Sequence, residues 1–307
     1  MKAVETLLFQ CDGTEHPIAL TDAHAPRTLA ALKAWMPAEV TIHCAKIAGC
    51  HIYWPTPILE CLEEGADIHT LPPGAFLYYP DRQYLEITYD ALQAETAAVN
   101  FLGVFQGDLG WLRHFADGQR RSHGQRVFTA RLSLAGADGA GDRHDTGAVE
   151  GAPRSGSPAR VRLAEGRRAA WAHQPREVHD FVLRDGLNIP FGPLITAEGE
   201  FRRTQELMWR LWANVSGYDN RTRATIACET LELTLARVVG YCHLTQAGAI
   251  LEAGRDALRE DDADVTAILG DLTVYCGRMS AWLDAHVPWW EANEVMRRNQ
   301  GRPLAGP

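Results

Sequence analysis

The residues best suited to chemistry stand in one stretch, from Leu71 to Asp90. It reads as a turn at Pro72-Pro73-Gly74, a strand ending in Tyr78-Tyr79, a second turn at Pro80-Asp81, and a second strand that carries Glu86. Strand side chains alternate faces with period two, so Leu85, Ile87 and Tyr89 share one side while Tyr84, Glu86 and Thr88 share the other. Glu86 is then either a solvated carboxylate or an acid in a pocket wall, where burial raises a carboxyl pKa. Periodicity alone leaves the two readings even. Close in sequence are Arg82, Tyr79 and Tyr89, and His51, Tyr53 and Trp54 lie on a strand that can neighbour it. A carboxyl group can serve as general acid or base, an arginine can hold a substrate carboxylate in a two-pronged grip, and aromatic faces can stabilise a cation. The plainer alternative is a β-core with a charged edge pair, Arg82 with Glu86, and the residues alone favour it.

Other chemistries find less support. His43, Cys44, Cys50 and His51 are close in sequence, but their spacing matches no common zinc pattern and adjacent strand residues point to opposite faces. No metal site is expected. There is no G-x-x-x-x-G-K-[ST] loop, no G-x-G-x-x-G turn and no G-x-S-x-G, so the sequence offers no nucleotide site and no nucleophile.

The elements that position these residues follow the hydrophobic pattern. Val4 to Phe9 and Pro17 to Leu20 read as paired strands around Asp12-Gly13; a helix with Pro26 in its first turn and an apolar face of Leu29, Leu32 and Met36 is stopped by Pro37. Val40 to Cys44, Ile47 to Tyr53, Asn100 to Phe105 and Arg126 to Leu134 read as further strands, and Trp54-Pro55-Thr56-Pro57 is expected to leave any central strand. Asp108 to Asp117 can form one or two helical turns. Many short strands with one good helix argue for a barrel or sandwich ending near residue 134. From 135 to about 168 the composition turns to Gly, Ala, Asp, Ser, Pro and Arg, which predicts a flexible linker with solvated arginines and a solvated His144. Beyond it, stripes at Phe201, Met208, Leu211, Trp212 and Val215, at Leu231 to Cys242, and at Val265 to Leu283 predict three or four helices in a bundle, with Asp261 or Asp262 capping the last. Tryptophans 209, 212, 282, 289 and 290 read as core or interface groups.

The chain is long enough for two ordinary domains at 307 residues, and 46% hydrophobic residues fit a globular protein. A formal charge of −9 without a basic block argues against nucleic acid. No apolar run is long enough to cross a bilayer and the start lacks the features of a signal peptide, so a cytoplasmic location is expected. Seven cysteines with no C-x-x-C pair read as reduced or buried thiols.

The N-terminal block resembles a bacterial cyclophilin-like family. The resemblance is carried by Ala25-Pro26-Arg27-Thr28-Leu29-Ala30-Ala31-Leu32, by His43-Cys44-Ala45-Lys46-Ile47-Ala48-Gly49, and by Pro73-Gly74 through Tyr79-Pro80 to Leu85-Glu86-Ile87-Thr88-Tyr89. A cyclophilin-like domain followed by a helical bundle is similar to cucumopine synthase and to the β-carboline-forming Pictet–Spenglerases of kitasetaline-type biosynthesis. The resemblance implies an α+β chain of two domains: a cyclophilin-like antiparallel β-barrel at 1–134, a loop or linker at 135–168 and a mainly helical bundle at 169–307. It implies condensation of L-tryptophan, or a derivative, with a 2-keto acid such as 2-oxoglutarate or with an aldehyde, through an iminium, with no cofactor. Glu86 matches the family's strand glutamate and would move the protons, with His51 assisting. Arg82, with Arg27 and Arg126 as rivals, would hold a carboxylate; Tyr79, Tyr89 and Trp54 would pack on the ring or face the iminium. The expected partners are the amino acid and the keto acid or aldehyde, with neither nucleic acid nor membrane, in a homodimer. Open alternatives are a cucumopine-type condensation of L-histidine, a cyclophilin-like small-molecule or peptide binder without catalysis, and a prolyl isomerase, weakened by the lack of the eukaryotic cyclophilins' arginine, phenylalanine and glutamine pattern.

Overall fold

In a computed structural model of the 307-residue chain, the structure describes residues 5–46, 49–92, 97–136, 156–183 and 191–301. The N-terminal half winds eight antiparallel strands into a closed barrel: β1 (Thr6–Cys11), β2 (Thr14–Leu20), β3 (Ala38–Cys44), β4 (Gly49–Pro55), β6 (Ala75–Tyr79), β7 (Tyr84–Leu92), β8 (Ala98–Phe105) and β9 (Phe128–Leu134). Their order around the barrel is β2-β1-β9-β3-β4-β7-β6-β8, and pairing of β8 with β2 closes the ring. A two-residue strand, β5 (Ala66–Asp67), adds to β8. Closure requires a small residue at Gly103, where a Cβ would stand 2.2 Å from the carbonyl oxygen of Ala19 on the facing strand. Two helices cover the barrel, α1 (Pro26–Trp35) and α2 (Leu109–Arg121). Asp108 caps α2 by accepting from Gly110 N at 2.8 Å, so the short helical insert expected here extends to three turns.

Alternation puts Phe9, Ile52, Trp54, Phe76, Tyr78, Leu85, Ile87 and Tyr89 into one buried cluster that fills the barrel. Trp54 stacks on Phe9 and Phe76, with centroids 5.6 and 6.1 Å away. Contrary to expectation, Trp54 and Pro55 remain in β4, paired with Leu85 and Tyr84 of β7. The ladder from β3 reaches only Tyr53, so Pro55 lies where one edge of β4 has no partner and its missing N–H breaks no rung.

The second half is helical: α3 (Pro158–Ala172), α4 (Arg176–Val182), α5 (Phe191–Trp212), α6 (Asn220–Val238), α7 (Thr245–Leu258), α8 (Val265–Asp284) and α9 (Trp289–Asn299). It has more helices than the three or four predicted, because α3 and α4 lie in polar sequence without a clean apolar stripe. The cap of α8 is Asp264, which accepts from Ala267 N at 3.0 Å, rather than Asp261 or Asp262. Val215 lies beyond the end of α5 and is exposed. α8 is buried along nearly its whole length, packed on α5 and against the barrel. The linker expected at 135–168 is helical from Pro158. Ser157 caps α3, and Arg160 and Arg167, expected to be solvated, ion-pair with the buried Asp271 of α8, Arg167 Nη1 at 2.7 Å. His144 lies outside the described residues. No described helix is long and apolar enough to cross a membrane.

Candidate active site

The strand face opposite the barrel core builds a pocket. Tyr84 and Glu86 of β7 share one face, and the register sets Tyr53 opposite Glu86 and His51 opposite Thr88, so His51 and Tyr53 of β4 join them. In a free barrel this face would meet water. Here α5, α8 and α9 roof it, with Glu198 and Arg202 from α5, Asp284 from α8 and Trp289 from α9. Lys46 after β3, Tyr79 of β6 and Arg82 of the hairpin complete the lining. The cavity is about 70 Å³, room for several waters.

Glu86 is 3% exposed. Its Oε2 stands 3.7 Å from His51 Nε2, a contact wider than a hydrogen bond. Burial, with the charges of Lys46 and Arg120, pushes the His51 pKa down to about 4, so its ring is neutral near pH 7. A neutral imidazole beside a carboxyl group can take or give a proton once a ligand closes the gap.

Asp284 lies across the cavity in a different setting. Lys46 Nζ ion-pairs with its Oδ2, His43 Nδ1 lies 3.3 Å from the same oxygen, Tyr53 Oη donates to it at 3.3 Å, and Trp289 Nε1 donates to Oδ1 at 2.9 Å. Burial alone would raise the carboxyl pKa, but the ammonium and the histidine contact outweigh it and hold Asp284 well below the usual range. Burial pushes His43 down to about 4, leaving it neutral, and raises Tyr53 and Tyr84. Arg202 ion-pairs with Glu198, whose pKa burial raises against that pull, and Arg82 Nε lies 2.6 Å from Glu206 Oε1. The rings of Tyr53 and Tyr84 stack at 4.6 Å.

The hairpin that carries Arg82 is held from the helical side. Gln205 of α5 donates to Arg82 O at 2.7 Å and to Gln83 Oε1 at 2.8 Å. Gln205 fits because its neighbour on α8 is Gly277, where a Cβ would stand 2.6 Å from the amide nitrogen.

Of the residues read from the sequence, Glu86, His51, Arg82 and Tyr79 meet in this cavity. Trp54 and Tyr89 do not, since alternation turns both into the barrel core, where Tyr89 Oη accepts from Arg120 at 2.7 Å. Arg27 is exposed beside Glu60 and Glu63, Arg126 pairs with Asp12, and neither lines the cavity. Tyr84 and Tyr53, which period two and strand pairing set beside Glu86, join the lining without a role assigned from the sequence; Lys46, Glu198, Arg202 and Asp284 were not expected there, and Trp289 reads from the sequence as a core or interface group. Among the described residues no cluster of three His, Cys, Asp or Glu is placed to hold a metal.

No family model matches the sequence, and no curated protein matches it. Among solved structures, that of McbB in complex with tryptophan superposes with a TM-score of 0.79 at 16% identity, covering 94% of this chain and 99% of McbB. The chain has the McbB fold. A second match, the solution structure of the hypothetical protein AF2241 from Archaeoglobus fulgidus, has a TM-score of 0.32 at 18% identity and covers 43% of this chain and 98% of that one. The McbB-like fold spans barrel and helical layer together, and it supports the cyclophilin-like Pictet–Spenglerase resemblance at the level of the fold.

Proposed function

We propose that the chain is a Pictet–Spenglerase that condenses the amine of L-tryptophan, or a close derivative, with a 2-keto acid such as 2-oxoglutarate or with an aldehyde. The observation that carries this reading is the meeting of Glu86, a neutral His51, the cations Arg82, Lys46 and Arg202, and stacked tyrosine faces in one roofed cavity. Tryptophan is the amine of choice because McbB, whose fold this chain shares, was solved in complex with tryptophan.

The amine attacks the carbonyl carbon and water leaves, giving an iminium. The indole carbon attacks the iminium carbon, forming the new C–C bond. The proton on the attacked ring carbon then departs and restores aromaticity. Glu86 is the group to take that proton, and His51 the group beside it to help deliver one to the departing hydroxyl. Arg82 and Arg202 hold substrate carboxylates, and the faces of Tyr53, Tyr79 and Tyr84 lie beside the passing cation.

Incubating the protein with tryptophan and 2-oxoglutarate should give, by mass spectrometry, a product lighter than the sum by one water. If aromatic amino acids, histidine included, give no product with any keto acid or aldehyde, the enzyme reading is lost. Tryptophan binding without product would mark a non-catalytic binder.

A further inference from the structure

A second cavity lies beside the first. It is a cleft of about 400 Å³ under α9, in the size range of a small-ligand site. Trp290 and Met296 of α9 line one side, and Arg120 and Cys50 the other. Ala45 and Lys46 line both the cleft and the catalytic cavity, and the consecutive tryptophans at the start of α9 divide between them, Trp289 inside and Trp290 outside. We propose that carboxylate-bearing substrates reach Glu86 through this cleft, past a gate made of Lys46 and Trp289 that Asp284 holds shut.

The latch is visible in the hydrogen bonds. One carboxylate holds both gate residues, Lys46 through Oδ2 and Trp289 through Oδ1. The moving part is fixed at one end only: Trp289 packs on the helical core and the Trp290 ring lies 5.0 Å from the Arg120 guanidinium, whereas Val295 and Met296 farther along α9 are exposed. Opening therefore turns on the two tryptophans at the start of α9, while the exposed remainder of the helix adds little resistance, as in elements that open locally. Under the catalytic cavity the opposite wall has less freedom, since β4 and β7 pair without a break from His51–Thr88 to Pro55–Tyr84, and a bulge between Gly49 and His51 interrupts the ladder only at the cleft. The chemistry of the latch also selects the guest. Lys46 is bound to a carboxylate already, so a substrate carboxylate arriving past Arg120 and Arg297 exchanges with Asp284 at the same ammonium and frees the gate. An amine without a carboxylate has nothing to exchange. The inference rests on the condensation reading for its substrates, but the gate itself can be measured without turnover.

Lys46 is one of three lysines in the chain, with Lys2 and Lys33, so acylation of each by sulfosuccinimidyl acetate can be followed by peptide mass spectrometry. Trp289→Phe removes the latch donor and keeps a ring; Trp289→Ala removes both. Each should raise the rate at Lys46 relative to Lys33 about tenfold, the weight of one lost hydrogen bond. Met296→Trp, which fills the cleft, should lower it. Unchanged Lys46 reactivity in both Trp289 variants, each confirmed as folded by a cooperative melt, overturns the gate. If Lys46 responds as expected but no amine and carbonyl pair gives product, the gate stands and the condensation reading falls. If the protein makes product while Lys46 reactivity and kcat/KM ignore all three substitutions, the reading stands and the gate falls.

Discussion

Two buried carboxylates face the same cavity in opposite circumstances. Glu86 sits on the barrel wall with a neutral imidazole 3.7 Å away, whereas Asp284, at the end of α8, has an ammonium, an imidazole, a phenol and an indole N–H gathered around it. A carboxylate so surrounded is locked in its charged form and cannot cycle a proton near neutral pH. On the proposed function the difference separates two jobs: the strand wall carries the acid–base group, and the helical roof carries a fixed charge with the wall's side chains gathered around it.

The strongest test of that division is Glu86→Gln, which keeps shape and removes the titrating group. It should lower product formation by about 10²–10⁴-fold, the usual worth of positioned acid–base catalysis, with the melting temperature little changed. Full activity in this variant would remove Glu86 from its role while leaving the fold untouched. Asp284→Ala should do the reverse at first sight, acting on stability: it leaves Lys46 buried without its counter-charge, and breaking such a pair costs about 3–5 kcal/mol. Urea denaturation reads this directly. A loss under about 1 kcal/mol would mean that the roof does not depend on the pair.

The same contrast explains what the sequence could and could not convey. Glu86, Arg82 and Tyr79 are legible because a hairpin is local: turn residues and period two place them within one short segment. Period two also puts Tyr89 on the face opposite Glu86, and pairing sends Trp54 the same way, so both were grouped with the site only by aromatic character and nearness in sequence. Lys46 and Asp284 are 238 positions apart. Nothing in the spacing of either announces the other, and α8 reads as an ordinary apolar helix until its last residue reaches the barrel. Arg160 and Arg167 were obscured differently: a polar, Gly- and Arg-rich composition suggested solvent, while a single buried acid, Asp271, draws both inward.

Neutral histidines behind both carboxylates set a pH dependence. His43 and His51 have folded pKa values near 4 because burial disfavours their charged forms, against about 6.5 in an unfolded chain. Above pH 6.5 both are neutral in either state and their contribution to stability is fully present. Between 6.5 and 4 the unfolded chain binds protons that the folded protein refuses, so stability falls, by up to about 3 kcal/mol for each histidine. Urea midpoints from pH 8 to 4.5 should show this slope, and His51→Gln should flatten part of it. A slope that His51→Gln leaves unchanged would show that His51 titrates normally and is not the neutral partner of Glu86.

The smallest effect separates a cavity cation from a surface one. Arg82 is largely buried and stands beside Tyr79 and Glu86 in the lining, whereas Arg126 is well exposed on its ion pair with Asp12. Arg82→Met should raise KM for one carboxylate substrate by about 10–100-fold with a smaller change in kcat, the loss expected when a charge-assisted hydrogen bond to substrate goes. Arg126→Ala should leave KM alone and shift stability by no more than about 0.5 kcal/mol, since exposed pairs contribute little. Because Gln205 holds the Arg82 carbonyl from α5, Gln205→Leu should reproduce a fraction of the Arg82 effect by loosening the hairpin while the guanidinium is still present. If it instead matches Arg126→Ala, the hairpin keeps its shape without help from the roof, and the strand wall positions its cation alone.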